Sequence, residues 1–344
     1  MPDDAIERQI RRGTDTTGKT YGFNDDHDPT ELSQMWFQES HEGKVLFVVF
    51  YSQACRWSRC LGCNLPSKCS SRHIGFRPLM AQIDKVFARE DVKSRAEADE
   101  IDKIILSNNG SMLDEETFST TALVYLFSQI NVHVPGAAAV TLETRPEYVD
   151  WAELEVLSRV LKEAEPNRPT QLEIAVGFEA FDDHIRNDVF HKGLSFEAIR
   201  RMVKEVAPYG YHLKFYFMQK PVPGITDEEA IEDVCKAIDF LSDLGAESGV
   251  TMNMHLNPTY AARGTALAEA HGRGEYEPPN LKDVARSVAH ARDKSLSVFI
   301  GLFDEGLAVP GGSFLRPGDE PVVELLERFN RTQDYAIVDR VIAG

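Results

Sequence analysis

Six short apolar runs, separated by amphipathic helical stretches, set the narrowest limit on how this chain folds. The runs cover residues 45–51, 103–109, 137–143, 171–179, 213–218 and 249–257, and the stretches between them cover 78–89, 115–130, 150–163, 196–207 and 227–244. Strands alternating with helices build βαβ units with right-handed crossovers, and so a parallel sheet. In a parallel barrel the chemistry collects at the carboxyl ends of the strands. A doubly wound sheet would concentrate it at one switch point instead. Here every apolar run ends in a signature: Cys55, then Asn108-Asn109-Gly110-Ser111, Glu143-Thr144-Arg145-Pro146, Gly177-Phe178-Glu179, Lys220-Pro221 and Asn257-Pro258. Signatures on all the strand ends favour an α/β fold with a barrel of six such units, open or closed, over 45–265 and one shared site. Residues 1–44, polar and weakly periodic, read as an N-terminal extension. Residues 266–344 read as a C-terminal extension packed on the barrel, with a turn-rich connector at 272–279, a helix over 281–294, a strand over 296–302 and a last helix from Val322.

Four of the five cysteines, Cys55, Cys60, Cys63 and Cys69, follow the first run. Thiolates are the soft ligands that iron and zinc prefer, and such a cluster is unlike a secreted disulfide framework. Cys69 reads as a spare thiol and Cys235, inside a helical stretch, as a small core residue. His191, His255 and His271 show no metal spacing with the cysteines and read as satisfied polar residues. Arg56, Arg59, Lys68, Arg72 and Arg77 make the loop positive on a chain of net charge −18. The overall charge argues against sequence-independent nucleic-acid binding by this chain alone. The local charge reads equally well as solvated loop or as attraction for an anionic substrate or an acidic electron donor. No apolar run reaches membrane-spanning length and the N-terminus lacks a signal-peptide pattern, which predicts a cytoplasmic protein without a membrane partner. A zinc-stapled, non-enzymatic binding protein is the rival reading. Zinc sites favour paired C-x2-C knuckles, of which Cys60–Cys63 is one, and zinc gives the later strand-end motifs no purpose.

These residues resemble the radical S-adenosylmethionine enzymes, which hold a [4Fe–4S] cluster by three cysteines on the loop after the first strand of a partial (β/α)6 TIM-like barrel, the fold the resemblance implies here. Their usual spacing is C-x3-C-x2-C. Cys55–Cys60–Cys63 is one residue longer, and Gly62 stands where an aromatic or apolar residue is usual. Asn109-Gly110-Ser111 is similar to the turn that receives the methionyl amine of the cosubstrate. Glu143-Thr144-Arg145-Pro146 is similar to the Glu-x-Arg-Pro signature of the elongator-type branch, as is the segment Gly177-Phe178-Glu179 with Arg186, Lys192 and Gly193. Asn257-Pro258, Gly264-Thr265 and the Gly-x-Tyr-x-Pro-Pro stretch at 274–279 resemble the archaeosine synthase radical subunits.

The resemblance implies a [4Fe–4S] cluster on Cys55, Cys60 and Cys63, with one iron left for S-adenosylmethionine. It implies reductive cleavage to a 5′-deoxyadenosyl radical that takes hydrogen from the substrate. Asn109, Gly110, Ser111, Glu143, Arg145, Gly177, Glu179 and Arg186 become cosubstrate contacts, and Lys220 and Asn257 substrate contacts. An external one-electron donor, flavodoxin- or ferredoxin-like, is implied. The acidity favours a small-molecule or nucleoside-type substrate. The alternative is a lyase acting on a lysine-modified deazaguanine in tRNA with a partner subunit.

Overall fold

The computed structural model describes residues 5–163 and 170–344. Its sheet holds eight strands in chain order: β1 (Gln34–Ser40), β2 (Gly43–Val49), β3 (Lys103–Ser107), β4 (Ala139–Thr144), β5 (Gln171–Glu179), β6 (His212–Gln219), β7 (Met252–Pro258) and β8 (Ser297–Ile300). β2 pairs in parallel with β3, and β3 with β4; β6 pairs in parallel with β7, and β7 with β8. A strand order that never doubles back is that of a barrel-type βα fold, where a doubly wound sheet would reverse at its switch point. The expected fold class holds. Among the described residues no helix is long and apolar enough to cross a membrane.

β1 is a strand that periodicity missed. It forms an antiparallel hairpin with β2, turning between Ser40 and Gly43, and Trp36 stacks on Phe47 with ring centroids 4.3 Å apart. Its apolar residues are too few to stand out from a polar neighbourhood. Only pairing with β2 gives them a face to bury. Helix Ala5–Thr16 escaped for a similar reason: Ile10 is its one buried hydrophobic side chain, packed with Ala54 and Cys69.

The chain divides into two compact units. Gly22–Ser58 and the described part of Leu65–Ala175 make up most of the first, and Val176–Gly344 most of the second, with Arg59–Asn64 counted in the second. In the first unit Val45, Phe47, Val49 and Ile105 form one apolar face. On β3 the fully buried Lys103 Nζ reaches Glu173 Oε1 at 2.7 Å, where the Thr141 hydroxyl also donates at 2.8 Å; Glu42 makes a second ion pair with the lysine. A charge so far from water must be paired to be tolerated.

The second unit is organised around Phe178, whose ring meets Phe196, Phe215, Phe217 and Phe240 at 5.5–6.2 Å. Phe240 lies on helix Asp227–Ser248. That helix opens with a capping box, Thr226 and Glu229 exchanging hydrogen bonds, and closes on Gly249 in the left-handed region (φ 72°). Both ends satisfy backbone groups that a helix leaves open.

Candidate active site

In the first unit the cysteine loop is pinned at its base. Gln53 bridges to Ser70, with Ala54 N donating to Ser70 O at 2.8 Å and Ser70 N to Ser52 O at 3.0 Å. Cys69, just inside that bridge, is fully buried, and its Sγ lies 3.7 Å from the carbonyls of Leu65 and Asn108. It is packed as core, in keeping with the reading that sets it apart from Cys55, Cys60 and Cys63.

The Asn109-Gly110-Ser111 turn after β3 lies directly against Cys55. A Cβ at Gly110 would fall 3.3 Å from the Cys55 Cα and 3.4 Å from its Cβ, so glycine is what lets the two backbones meet. Asn108 shapes the turn: its Oδ1 accepts from Gly110 N at 3.1 Å and its Nδ2 donates to Ser52 Oγ at 3.1 Å. Two bonds join the turn to the end of β4. Ser111 Oγ accepts from Arg145 N at 3.2 Å, and Met112 N donates to Glu143 O at 2.8 Å. The Arg145 guanidinium sits 4.4 Å over the Trp57 ring and pairs with Glu147. Cys55, the turn, Glu143 and Arg145, separate signals in the sequence, thus share one neighbourhood.

Arg56 adds a clamp that residue spacing did not reveal. It binds the buried Asp114 through two nitrogens, each at 2.6 Å, and lies 4.8 Å over the Tyr148 ring. Burial pushes the Asp114 carboxyl above its usual range, with Arg56 pulling it partly back, and raises the Tyr148 hydroxyl to about 12. The arginine-rich character of the loop was legible. Which arginine would be spent on a buried carboxylate was decided by folding.

In the second unit Cys60 and Cys63 close a tight turn, Cys63 N donating to Cys60 O at 3.2 Å. A Cβ on Gly62 would stand 3.3 Å from Leu267, so Leu267 occupies the apolar place that a larger residue at 62 would fill. At the end of β5 Glu179 pairs with Lys192 at 2.7 Å. The pair lies over Gly177, where a Cβ would fall 2.1 Å from Glu179 Oε1 and 2.4 Å from Lys192 Nζ. Lys220, after β6, pairs with Asp227 at 2.6 Å, and its carbonyl accepts the Tyr276 hydroxyl at 3.0 Å. That bond gives the Gly-x-Tyr-x-Pro-Pro stretch a structural purpose. His271 Nδ1 lies 3.0 Å from Tyr276 O, so this histidine is satisfied as expected.

Three strand ends carry left-handed backbone at a non-glycine residue. Asn109 after β3, Glu179 closing β5 and Lys220 after β6 all have left-handed backbones, with φ of 57°, 70° and 60°. Each such non-glycine residue costs about 1–2 kcal/mol, and strain of this kind gathers at functional sites.

Arg186 lies in a single π-helical turn, His184–Val189, and is fully buried. It donates to the carbonyls of Leu194 (2.6 Å), Ala180 (3.0 Å) and Phe181 (2.7 Å), pairs with Asp183, and lies 4.4 Å over the Phe196 ring. In the folded chain it ties residues 178–196 together. Arg186→Met is expected to cost about 3 kcal/mol or more, because it strips buried carbonyls of their donor. Arg186→Lys is expected to recover little, since an ammonium cannot reproduce the fork. Urea denaturation checks this: unchanged stability in both variants would contradict the structural role.

Among the described residues no three His, Cys, Asp or Glu side chains stand together as a ready-made metal site. The donor set still suits an iron–sulfur cluster. Cys55, Cys60 and Cys63 are reduced thiols, partly buried and close along the chain, while Cys69 is committed to the core. The Cys235 thiol, on helix Asp227–Ser248, is pushed up to about 11 by burial, which suits an inert residue.

No protein-family model matches the chain. The archaeosine synthase subunit beta of Methanosarcina acetivorans is 27% identical over 252 residues, covering 72% of this chain and 67% of that protein. The chain is similar to the archaeosine synthase beta subunits. The similarity bears out the resemblance to the archaeosine synthase radical subunits, and with it the reading of this chain as an enzyme. The corresponding subunit of Thermococcus kodakarensis is 22% identical over 235 residues, covering 68% of each chain. Among solved structures, Elp3 of Methanocaldococcus infernus gives a TM-score of 0.48 at 16% identity, covering 74% of this chain and 58% of that one. A queuine lyase from Clostridium spiroforme bound to SAM and queuine gives 0.42 at 15% identity, covering 66% and 80%. Both structural likenesses are loose.

Proposed function

We propose that this chain is the radical S-adenosylmethionine component of an archaeosine-synthase-type lyase, acting with a partner subunit on a deazaguanine-type base. The relation to archaeosine synthase subunit beta over 252 residues carries this reading. The word "subunit" in the names of both relatives supports a partner.

In this reading Cys55, Cys60 and Cys63 hold a [4Fe–4S] cluster. When bound, that cluster supplies the electron that splits S-adenosylmethionine and yields a hydrogen-abstracting 5′-deoxyadenosyl group. The protein's own residues bind and shelter. The Asn109-Gly110-Ser111 turn offers backbone groups to the methionyl end of the cosubstrate. Glu179, held by Lys192, offers a carboxylate to hydroxyl or ammonium groups through charge-assisted hydrogen bonds. A second reading, a free small-molecule substrate, is favoured by the net charge of −18, which opposes a polyanionic partner.

The test is anaerobic reconstitution with iron and sulfide, then dithionite and S-adenosylmethionine. 5′-Deoxyadenosine is assayed with and without RNA carrying a lysine-modified deazaguanine and a candidate partner subunit. Deoxyadenosine release stimulated by that RNA supports the proposal. Release stimulated only by the free nucleoside moves the reading to a small molecule. One bound zinc and no deoxyadenosine would sink both.

A further inference from the structure

Three adjacent strands of the second unit carry a ring each at the same level. The register pairs Tyr216 on β6 with His255 on β7, and His255 with Phe299 on β8. The Tyr216 and His255 centroids are 5.0 Å apart, and those of His255 and Phe299 are 4.8 Å apart. One step nearer the carboxyl ends, Met218 pairs with Asn257. The alternate residues Phe215, Phe217, Met254, Leu256, Val298 and Ile300 are fully buried on the other face, whereas Tyr216, Met218, His255, Asn257 and Phe299 remain partly open. This half of the sheet therefore has a sealed face and an open one.

Two polar side chains on the open face, His255 and Asn257, are not engaged. Among the described residues no hydrogen bond engages the ring nitrogens of His255 or the carboxamide of Asn257. The sequence reading of His255 as a satisfied polar residue is thus overturned: cross-strand pairing set it between two rings instead of beside a partner. Space is kept next to both groups by Gly301, where a Cβ would fall 2.4 Å from Asn257 Oδ1 and 3.1 Å from His255 Nε2. Burial, and then the Lys214 ammonium, push the His255 pKa down to about 3, so the ring is neutral at physiological pH. A neutral imidazole offers one donor and one acceptor, and a carboxamide offers both. Flanking rings supply π faces on which a flat group can stack.

We propose that Tyr216, His255 and Phe299, with the Asn257 carboxamide, form the subsite that takes the flat, uncharged heterocycle of the substrate, with His255 and Asn257 reading its polar edge. The proposal rests on the reading of this chain as an enzyme for a nucleobase-type substrate. An aliphatic group would gain less here, because it has neither a π face to stack on the rings nor a polar edge for His255 and Asn257 to read.

The experiment titrates 7-deazaguanine into the reconstituted full-length chain by calorimetry. Binding to the wild-type protein is expected, weakened at least tenfold by His255→Ala and several-fold by Tyr216→Leu. His255→Gln, which keeps a donor and an acceptor, is expected to recover most of the loss, a rescue that a packing role would not show. Melting curves confirm that each variant is folded. No binding to the wild-type chain, or equal binding to wild type and folded His255→Ala, would overturn the subsite. Deoxyadenosine formation is assayed on the same wild-type preparation. Its absence alongside His255-dependent binding would defeat the enzyme reading and leave the subsite standing.

Discussion

Cys60→Ala is expected to abolish deoxyadenosine formation and to lose most of the iron, with Cys55→Ala and Cys63→Ala behaving alike. Cys69→Ala is expected to keep iron and turnover. Three thiolates are the minimum that holds a four-iron cluster with one iron open, so removing any one leaves the cluster underligated. Cys69 differs because its environment differs: it is fully buried against Ile10 and Ala54, with its sulfur near two carbonyls. Losing that sulfur opens a small cavity and costs about 1 kcal/mol, visible as a lower melting temperature. Iron content, the EPR signal of the reduced protein and deoxyadenosine release read the contrast. Iron loss in Cys69→Ala equal to that in the other variants would show that Cys69 is a ligand and that the assignment of three thiols is mistaken.

Glu173→Ala is expected to cost about 3–5 kcal/mol of stability, the usual penalty for leaving a buried charge without its partner. Lys103 and Glu173 are both nearly inaccessible to water, at 1% each, so solvent cannot take over the lost interaction. Glu42, which is more exposed, offers only partial compensation. The double variant Lys103→Met with Glu173→Leu is expected to regain much of the loss, since apolar side chains of similar size avoid the desolvation that the charges incur. Urea denaturation of the three proteins decides it. A small effect of Glu173→Ala would mean that Glu42 alone neutralises the lysine.

The sequence by itself determined the strands from β2 onward, their alternation with helices and the gathering of thiols on one loop. Those signals are local. A strand buried on both faces needs a continuous apolar run, and a soft-metal site needs thiols close along the chain. Boundaries drifted by a few residues, and β1 was missed because three apolar residues in polar surroundings make no periodic signal. The strand-end positions were also visible as residue types: Asn109, Glu143, Glu179 and Lys220 stand out after apolar runs.

Only the tertiary structure decided what those residues do for one another. Gly110 proved to be a contact for Cys55, a partner distant in the chain. Arg186, expected from the resemblance as a cosubstrate contact, is occupied with backbone carbonyls of its own segment. His255, read from the sequence as a satisfied polar residue, was placed in a row of rings by the register of β6, β7 and β8. Such partnerships depend on which residues are brought opposite each other across strands, and the side-chain period along one strand carries no information about its neighbour's register.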